Sequence, residues 1–173
     1  MSAKACLMVI DVQREYMGDD PFQTIDGDDL IAKCRNLLDR ARAADLAVVY
    51  VQHLADPPPE DPAMAEICPE IAPQDGEPVV QKHFGSAFLK TELKQVLAER
   101  EIGKLYICGL ATHGCVNETI KSAICLEYDV VVASDAHGAR TVEEASPAEV
   151  VKAYNEFWQR IGAQLAPTAD LPF

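Results

Sequence analysis

The chain has 173 residues, which is enough for one domain with a complete hydrophobic core, and its composition is that of an ordinary globular protein. Its formal net charge of −13 argues against nucleic acids and anionic membranes as partners, because they carry negative charge themselves. None of the six cysteines belongs to a Cys-x-x-Cys pair, which argues against a zinc cluster.

The first predicted strand is the apolar run at residues 6–10, which suits a parallel strand covered on both faces. The run ends at Asp11, and ligands of open α/β sheets bind beyond the carboxyl ends of the strands. Asp11 is therefore a candidate acid or base, with a turn or capping role as the alternative. After a polar loop, Asp28 and Asp29 begin a helix whose apolar positions recur at helical spacing up to Ala41.

A second buried strand is predicted at residues 46–51 and leads to His53, which could contact a ligand or a metal. One histidine does not make a metal site by itself. Residues 54–79 hold seven of the 11 prolines and no lysine or arginine, so they form the one long irregular segment. Such a segment could be a lid, a binding loop or a subunit contact, with a solvated excursion over the surface as the alternative.

The third strand, at residues 79–82, ends in Lys82 and leads into a tight connection that contains two aromatic residues. Thr91 is the predicted N-cap of the helix that follows. The apolar side chains of Leu93 and Leu97 give that helix an inward face, and the apolar run at residues 105–108 predicts the fourth strand.

Cys115 lies where the fourth strand turns into a helix, within the stretch 109–116. Gly109 and Gly114 would let the backbone approach other groups closely there. A helix N-terminus offers unpaired N–H groups and a partial positive charge, which would lower the pKa of the thiol and supply donors for an oxyanion. The turn therefore predicts a nucleophile, with a small buried hydrophobic residue as the alternative.

The last third of the chain predicts a strand, a capped helix and a final short strand. The strand lies at residues 130–133, the residues 146–149 form a capping box with proline at the first helical position, and Gly162 ends the helix. Residues 164–166 predict the short strand. Because strands alternate with helices and no linker or repeat occurs, we expect a single α/β domain over residues 1–173 with a mainly parallel sheet of five to six strands.

Three chemically active residues each stand at or just beyond the carboxyl end of a predicted strand: Asp11, Lys82 and Cys115. In a parallel sheet these ends lie on one edge, so the three side chains could meet. An ammonium group favours a thiolate, and a carboxylate can take up and return its proton. The three residues together therefore predict a nucleophilic site.

Four motifs lie in order at residues 7–13, 82–88, 109–116 and 134–136, and together they span most of the chain. They resemble the motifs of the isochorismatase-like cysteine hydrolases, which include nicotinamidases and N-carbamoylsarcosine amidohydrolases. The resemblance implies a three-layer α/β/α fold and a catalytic triad of Asp11, Lys82 and Cys115. It also implies a cis peptide bond between Leu110 and Ala111, with the N–H groups of Ala111 and Cys115 forming an oxyanion hole.

The same resemblance implies hydrolysis of a C–N bond in a small amide, imide or ureido compound through a thioester at Cys115. Nicotinamidases hold a metal with an Asp-x-His pair after the second strand, whereas the matching residues here end in His53 and no histidine follows up to Lys82. We therefore expect no nicotinamidase activity, no catalytic metal and no cofactor. Two alternatives remain: vinyl-ether hydrolysis of the isochorismatase type by Asp11 and Lys82, and a non-catalytic binding or scaffold protein on the same fold.

The expected partners are a small-molecule substrate and further copies of the chain, as a dimer or larger assembly. Side chains that could line the substrate cavity, with core packing as the alternative for each, are Phe22, His53, Phe84, Phe88 and His113. We expect no nucleic acid or membrane as a partner. The stretch before the first strand is too short for a secretory signal and no apolar run approaches membrane-spanning length, so we expect a cytoplasmic protein with reduced thiols.

Overall fold

A computed structural model describes residues 4–17 and 27–173, and within these ranges a six-stranded sheet carries the fold. The strands are β1 (Lys4–Ile10), β2 (Ala47–His53), β3 (Val79–Lys82), β4 (Ile102–Gly109), β5 (Asp129–His137) and β6 (Gln164–Ala166). The helices are α1 (Gly27–Ala43), α2 (Leu93–Glu99), α3 (Asn117–Cys125) and α4 (Pro147–Arg160). Every strand pair is parallel and the order is β3-β2-β1-β4-β5-β6, which confirms the predicted α/β class.

Helices cover both faces of the sheet. Successive side chains of a strand point to opposite faces, so each strand contributes to both cores. In β1, Met8 and Ile10 belong to one buried cluster, which includes side chains of α2, α3 and α4. Leu7 and Val9 belong to a second cluster, which includes the apolar face of α1. The fold is therefore three layers, α/β/α, with a separate core on each side of the sheet.

The end signals predicted for α4 are found in the structure, whereas the N-cap predicted for α2 is not. The capping box before α4 is confirmed, since Ser146 accepts from the backbone of Glu149 and the Glu149 side chain accepts from the backbone of Ser146. The N-cap of α2 is Glu92, so the prediction of Thr91 is wrong by one residue, although the Thr91 hydroxyl accepts from the N–H of Leu93 at 3.3 Å. Within the described ranges, no helix is long and apolar enough to span a membrane.

The carboxyl ends of β1 and β4 meet very closely at Gly109. This residue has φ +120°, and a Cβ atom on it would lie 2.1 Å from the carbonyl oxygen of Ile10. The same oxygen accepts a hydrogen bond from the N–H of Leu110 at 2.8 Å. A Cβ on Gly114 would instead come no closer than 4.0 Å to another residue, so the close approach predicted for both glycines exists only at Gly109.

The proline-rich segment after β2 is packed against the molecule and contains two short 3₁₀ turns, Pro62–Ala65 and Pro69–Ile71. Cys68 and Ile71 are buried in the core beside α1, and the N–H of Cys68 donates to the carbonyl oxygen of Val12 at 3.0 Å. The segment is therefore tied to the strand ends at Cys68 and Ile71, whereas most of residues 56–62 are exposed, as in a solvated excursion.

Candidate active site

A buried ion pair joins the ends of β1 and β3. The Nζ atom of Lys82 lies 2.7 Å from Oδ2 of Asp11, and their side chains are 0% and 2% exposed. Asp11 follows β1 with φ +50°, a conformation that aspartate tolerates better than most residues, and its N–H donates to the carbonyl oxygen of Val51 at 2.9 Å. Both charged groups are thus fixed by the strands that carry them.

The Cys115 thiol sits directly on this pair. Its Sγ atom accepts a hydrogen bond from Lys82 Nζ at 3.1 Å. The thiol is carried by a single wide turn, Thr112–Val116, in which the N–H of Val116 reaches back five residues to the carbonyl oxygen of Ala111 at 3.2 Å. This turn leads into α3, so the three residues that the strand ends predict do converge.

The protonation of the site differs from the expectation based on the helix N-terminus. Burial, together with the charge of Asp11, raises the pKa of the Cys115 thiol to about 11, while Lys82 opposes the shift. The predicted lowering of the thiol pKa is therefore wrong for the resting site. Burial also raises the pKa of Asp11, against the lowering effect of Lys82, which makes this carboxylate a better proton acceptor.

The peptide bond between Leu110 and Ala111 is cis, as the resemblance implies. Ala111 and Cys115 both line the cavity above the thiol. Within the described part of the chain, the N–H of Ala111 has no backbone acceptor. It is therefore a donor that a substrate oxygen could use, as an oxyanion hole requires.

The cavity at this edge of the sheet has a volume of about 290 Å³. Its described lining residues are Asp11, Tyr16, His53, Leu110, Ala111, His113, Gly114, Cys115 and Arg140. Sequence reasoning did not identify Tyr16 and Arg140. The position of Arg140 just after β5 was an available signal, because the loops after parallel strands surround this edge.

The predicted lining residues divide into two groups. His53 and His113 line the cavity. Phe84 and Phe88 lie elsewhere: Phe84 is 43% exposed and Phe88 packs against Tyr128 with ring centroids 5.5 Å apart. Phe22 lies outside the described residues.

His113 contributes a polar atom that the described chain leaves without a partner. Its Nδ1 atom is buried and has no hydrogen-bond partner within the described ranges. Burial and the charge of Arg140 lower the pKa of this imidazole, so the neutral ring is favoured. A substrate in the cavity could therefore exchange a hydrogen bond with a neutral histidine.

Three side chains of the kind that bind metals also meet here. One donor atom each from Asp11, His53 and Cys115 lies within 4.8 Å of the others. The Lys82 ammonium contacts all three residues, at 2.7 Å from Asp11, 3.2 Å from His53 Nδ1 and 3.1 Å from Cys115. A metal ion at this point would have to displace the ammonium, and the expectation of a metal-independent enzyme stays a prediction.

The chain resembles known proteins over nearly its whole length. The Isochorismatase domain family model matches residues 5–162. The secreted isochorismatase effector Isc1 of Verticillium dahliae is 33% identical over 157 residues, which cover 84% of this chain and 78% of Isc1. Ureidoacrylate amidohydrolase RutB of Agrobacterium fabrum is 27% identical over an alignment of 215 positions, which covers 97% of this chain and 94% of RutB. Among solved structures, a cysteine hydrolase from Pseudomonas syringae pv. phaseolicola has a TM-score of 0.90 at 25% identity, covering 97% of this chain and 90% of that one.

Proposed function

Because the chain belongs to the isochorismatase family of hydrolases, we propose that it cleaves a C–N bond of a small amide, imide or ureido compound through a thioester on Cys115. The observation that carries the proposal is the position of the Lys82 ammonium, 2.7 Å from the Asp11 carboxylate and 3.1 Å from the Cys115 sulfur. A carboxylate, an ammonium and a thiol thus meet beside one cavity, which Asp11 and Cys115 line.

In the first half of the proposed reaction, the carboxylate of Asp11 takes the thiol proton as the sulfur attacks the carbonyl carbon of the substrate. Lys82 stabilises the negative charge that develops on the sulfur. The carbonyl oxygen becomes an oxyanion held by the N–H groups of Ala111 and Cys115. Asp11 then gives its proton to the leaving nitrogen, the C–N bond breaks, and a thioester remains.

In the second half, water attacks the thioester carbon and passes a proton to the carboxylate of Asp11. The new tetrahedral intermediate collapses with cleavage of the C–S bond, and Asp11 returns the proton to the departing sulfur of Cys115. The products are the carboxylic or carbamic acid and the regenerated thiol. The raised basicity of Asp11 suits this exchange, because the thiol that it must deprotonate also has a raised pKa.

The size of the cavity and the names of the relatives support a small substrate with an amide-type bond. A volume of about 290 Å³ lies at the lower end of the range of ligand pockets. RutB is named for an amide hydrolysis of ureidoacrylate, and an N-carbamoylsarcosine amidase from an Arthrobacter species is 32% identical over 56% of this chain. These names belong to those proteins and set only the class of compound to be tested here.

Vinyl-ether hydrolysis by Asp11 and Lys82 is the competing proposal, and the position of the sulfur separates the two. An ether hydrolase has no need of a thiol at 3.1 Å from the ammonium, whereas the thioester route requires it. Cys115 is also partly accessible, unlike Cys108 at the same sheet edge, which is completely buried. The geometry therefore favours the thioester route.

The test is a panel of small amides, imides and ureido acids together with isochorismate, assayed by product analysis. We expect C–N cleavage of at least one panel member, loss of turnover in Cys115→Ala, and a mass increase on the Cys115 peptide after rapid acid quenching. Cys125→Ala, which removes an exposed thiol, is the matched control and should keep full activity. Turnover of isochorismate by Cys115→Ala, with no amide cleaved by the native protein, would establish the ether reaction instead.

A further inference from the structure

The His53 imidazole contacts the same ammonium group that joins Asp11 and Cys115. Its Nδ1 atom lies 3.2 Å from Lys82 Nζ, next to the contacts of 2.7 Å to Asp11 Oδ2 and 3.1 Å to Cys115 Sγ. An ammonium has three N–H donors and no acceptor, so Lys82 can donate to His53 Nδ1 and to Cys115 Sγ while it forms the ion pair with Asp11. Both carboxylate oxygens of Asp11 lack a hydrogen-bond partner within the described ranges, so His53 is one of the two acceptors that hold this ammonium by hydrogen bonds.

The contact fixes the tautomer of the histidine ring. Because Lys82 can only donate, Nδ1 of His53 must carry a lone pair, and the proton of the neutral ring is on Nε2. Burial and the charge of Lys82 both lower the pKa of His53, which agrees with a neutral ring at this place.

The backbone of His53 is held by a separate, buried side chain. The N–H of His53 donates to Oε1 of Gln13 at 2.7 Å, and Nε2 of Gln13 donates to the carbonyl oxygen of His53 at 2.9 Å. Gln13 is completely buried and also donates to the carbonyl oxygen of Ala65 at 2.8 Å. In the sheet, His53 is the register partner of Lys82. The main chain that carries the ring is therefore fixed beside Lys82.

We propose that His53 is a positioning residue, whose Nδ1 holds one N–H of Lys82 so that the ammonium stays hydrogen-bonded to Cys115 and paired with Asp11. The inference rests on the proposed function, because it assigns His53 a task within the same site. Without this acceptor, the ammonium can rotate or shift toward the cavity, and the charge that stabilises a thiolate on Cys115 moves away from the sulfur.

The test measures alkylation of Cys115 by iodoacetamide at pH 8, quantified on the peptide by mass spectrometry. The reagent reacts with the thiolate, so the rate reports how well Lys82 stabilises that form without need of a substrate. We expect Lys82→Met to slow the reaction at least about tenfold, which corresponds to one pKa unit. His53→Gln places its amide near the position of Nε2, away from Lys82, and should slow alkylation of Cys115 about threefold to tenfold. His53→Asn can place an oxygen near the position of Nδ1, so its alkylation rate should stay within about twofold of the native rate. His83→Gln changes an exposed neighbour and is the matched control.

A double-mutant cycle separates positioning from altered access to the cavity. If His53 acts through Lys82, His53→Gln slows alkylation in the native background and has almost no effect in the Lys82→Met background. An equal effect of His53→Gln in both backgrounds, or no effect in either, would overturn the inference and leave the role of Lys82 intact. If Lys82→Met leaves the alkylation rate of Cys115 unchanged, both the proposed function of Lys82 and this inference are overturned. His53→Phe, which keeps the ring and removes the acceptor, replaces His53→Gln if circular dichroism shows that His53→Gln is unfolded. If Lys82→Met is unfolded, Asp11→Asn/Lys82→Met is the background without the ammonium.

Discussion

The Asp11 carboxylate and the Lys82 ammonium form an ion pair with almost no contact with solvent, in which Oδ2 and Nζ are 2.7 Å apart. A charge in such a place is costly unless its partner is present. The pair comes from two strands that are separated in the sheet by β2. It therefore connects the site to the stability of the fold.

Lys82→Met should destabilise the protein by about 3–5 kcal/mol, because the carboxylate of Asp11 is then buried without its counter-charge. The double variant Asp11→Asn/Lys82→Met removes both charges, and we expect it to recover a large part of that loss. Urea denaturation of the two single variants and the double variant at pH 7 measures the coupling. Additive losses would show that the two side chains do not stabilise each other.

Removing the ammonium should also create a zinc site. Asp11, His53 and Cys115 offer an oxygen, a nitrogen and a sulfur within 4.8 Å of one another, and these are ligands that zinc accepts. In Lys82→Ala the space of the ammonium becomes available, so we expect this variant to bind one Zn²⁺ per chain in equilibrium dialysis with metal analysis. The native protein should not retain zinc there, and Lys82→Ala/His53→Ala should lose the binding. Equal retention by the native protein would show that the ammonium does not block the three donors.

The order of the strand ends and the residue types at them were enough to predict that Asp11, Lys82 and Cys115 lie together. The carboxyl ends of parallel strands share one edge, so an aspartate, a lysine and a cysteine at three such ends are brought together by the architecture alone. The residues at which strands end were predicted less well. The apolar run at residues 130–133 is only part of β5, which continues to His137 with polar residues that pair with β4 and accept from α4.

The pKa of Cys115 could not be predicted in the same way, because it depends on distances in space. The helix N-terminus favours a thiolate, but burial and, next to it, a carboxylate that is 104 positions earlier in the chain raise the pKa of the thiol. Whether the aromatic residues after β3 line the cavity could not be predicted either, for a related reason. Spacing shows that Phe84 and Phe88 are near the site in sequence, but it does not show which way a tight connection turns their rings.

Gly109→Ala should disrupt the junction of β1 and β4. The added Cβ would lie 2.1 Å from the carbonyl oxygen of Ile10, and φ is +120°, so we expect a clash in addition to backbone strain. The expected loss of unfolding free energy is about 3 kcal/mol or more, measured by thermal and urea denaturation. Gly76→Ala is the matched control, because φ is +89° there and no atom lies within 4 Å of the added Cβ. It should lose roughly 1–2 kcal/mol, and equal losses in the two variants would exclude a clash at Gly109.

His137 links the turn that carries Cys115 to α4. Its Nδ1 lies 2.9 Å from the Thr112 hydroxyl, and its Nε2 lies 3.0 Å from Oδ1 of Asn155, whose amide nitrogen donates to the carbonyl oxygen of Ser134. Because Oδ1 can only accept, Nε2 carries a proton, and the one hydroxyl proton of Thr112 serves Nδ1 of a neutral ring or the carbonyl oxygen of Gly138, which lies 2.8 Å from the hydroxyl. Burial lowers the pKa of this histidine to about 4, which agrees with the neutral form.

The same histidine should make the protein sensitive to acid. In the unfolded chain a histidine binds its proton near pH 6.5, whereas folded His137 does so only near pH 4. The stability that depends on the neutral ring is therefore fully present above pH 6.5 and is lost as the pH falls toward 4. The expected loss from this residue is about 3 kcal/mol over that interval. Urea denaturation of the native protein, His137→Gln and the exposed-site control His83→Gln at pH 7, 5.5 and 4.5 measures it. His137→Gln should be less stable at pH 7 but should show a shallower decline with acid, while His83→Gln should follow the native protein. Parallel declines of His137→Gln and the native protein would mean that the ring of His137 takes up its proton without unfolding.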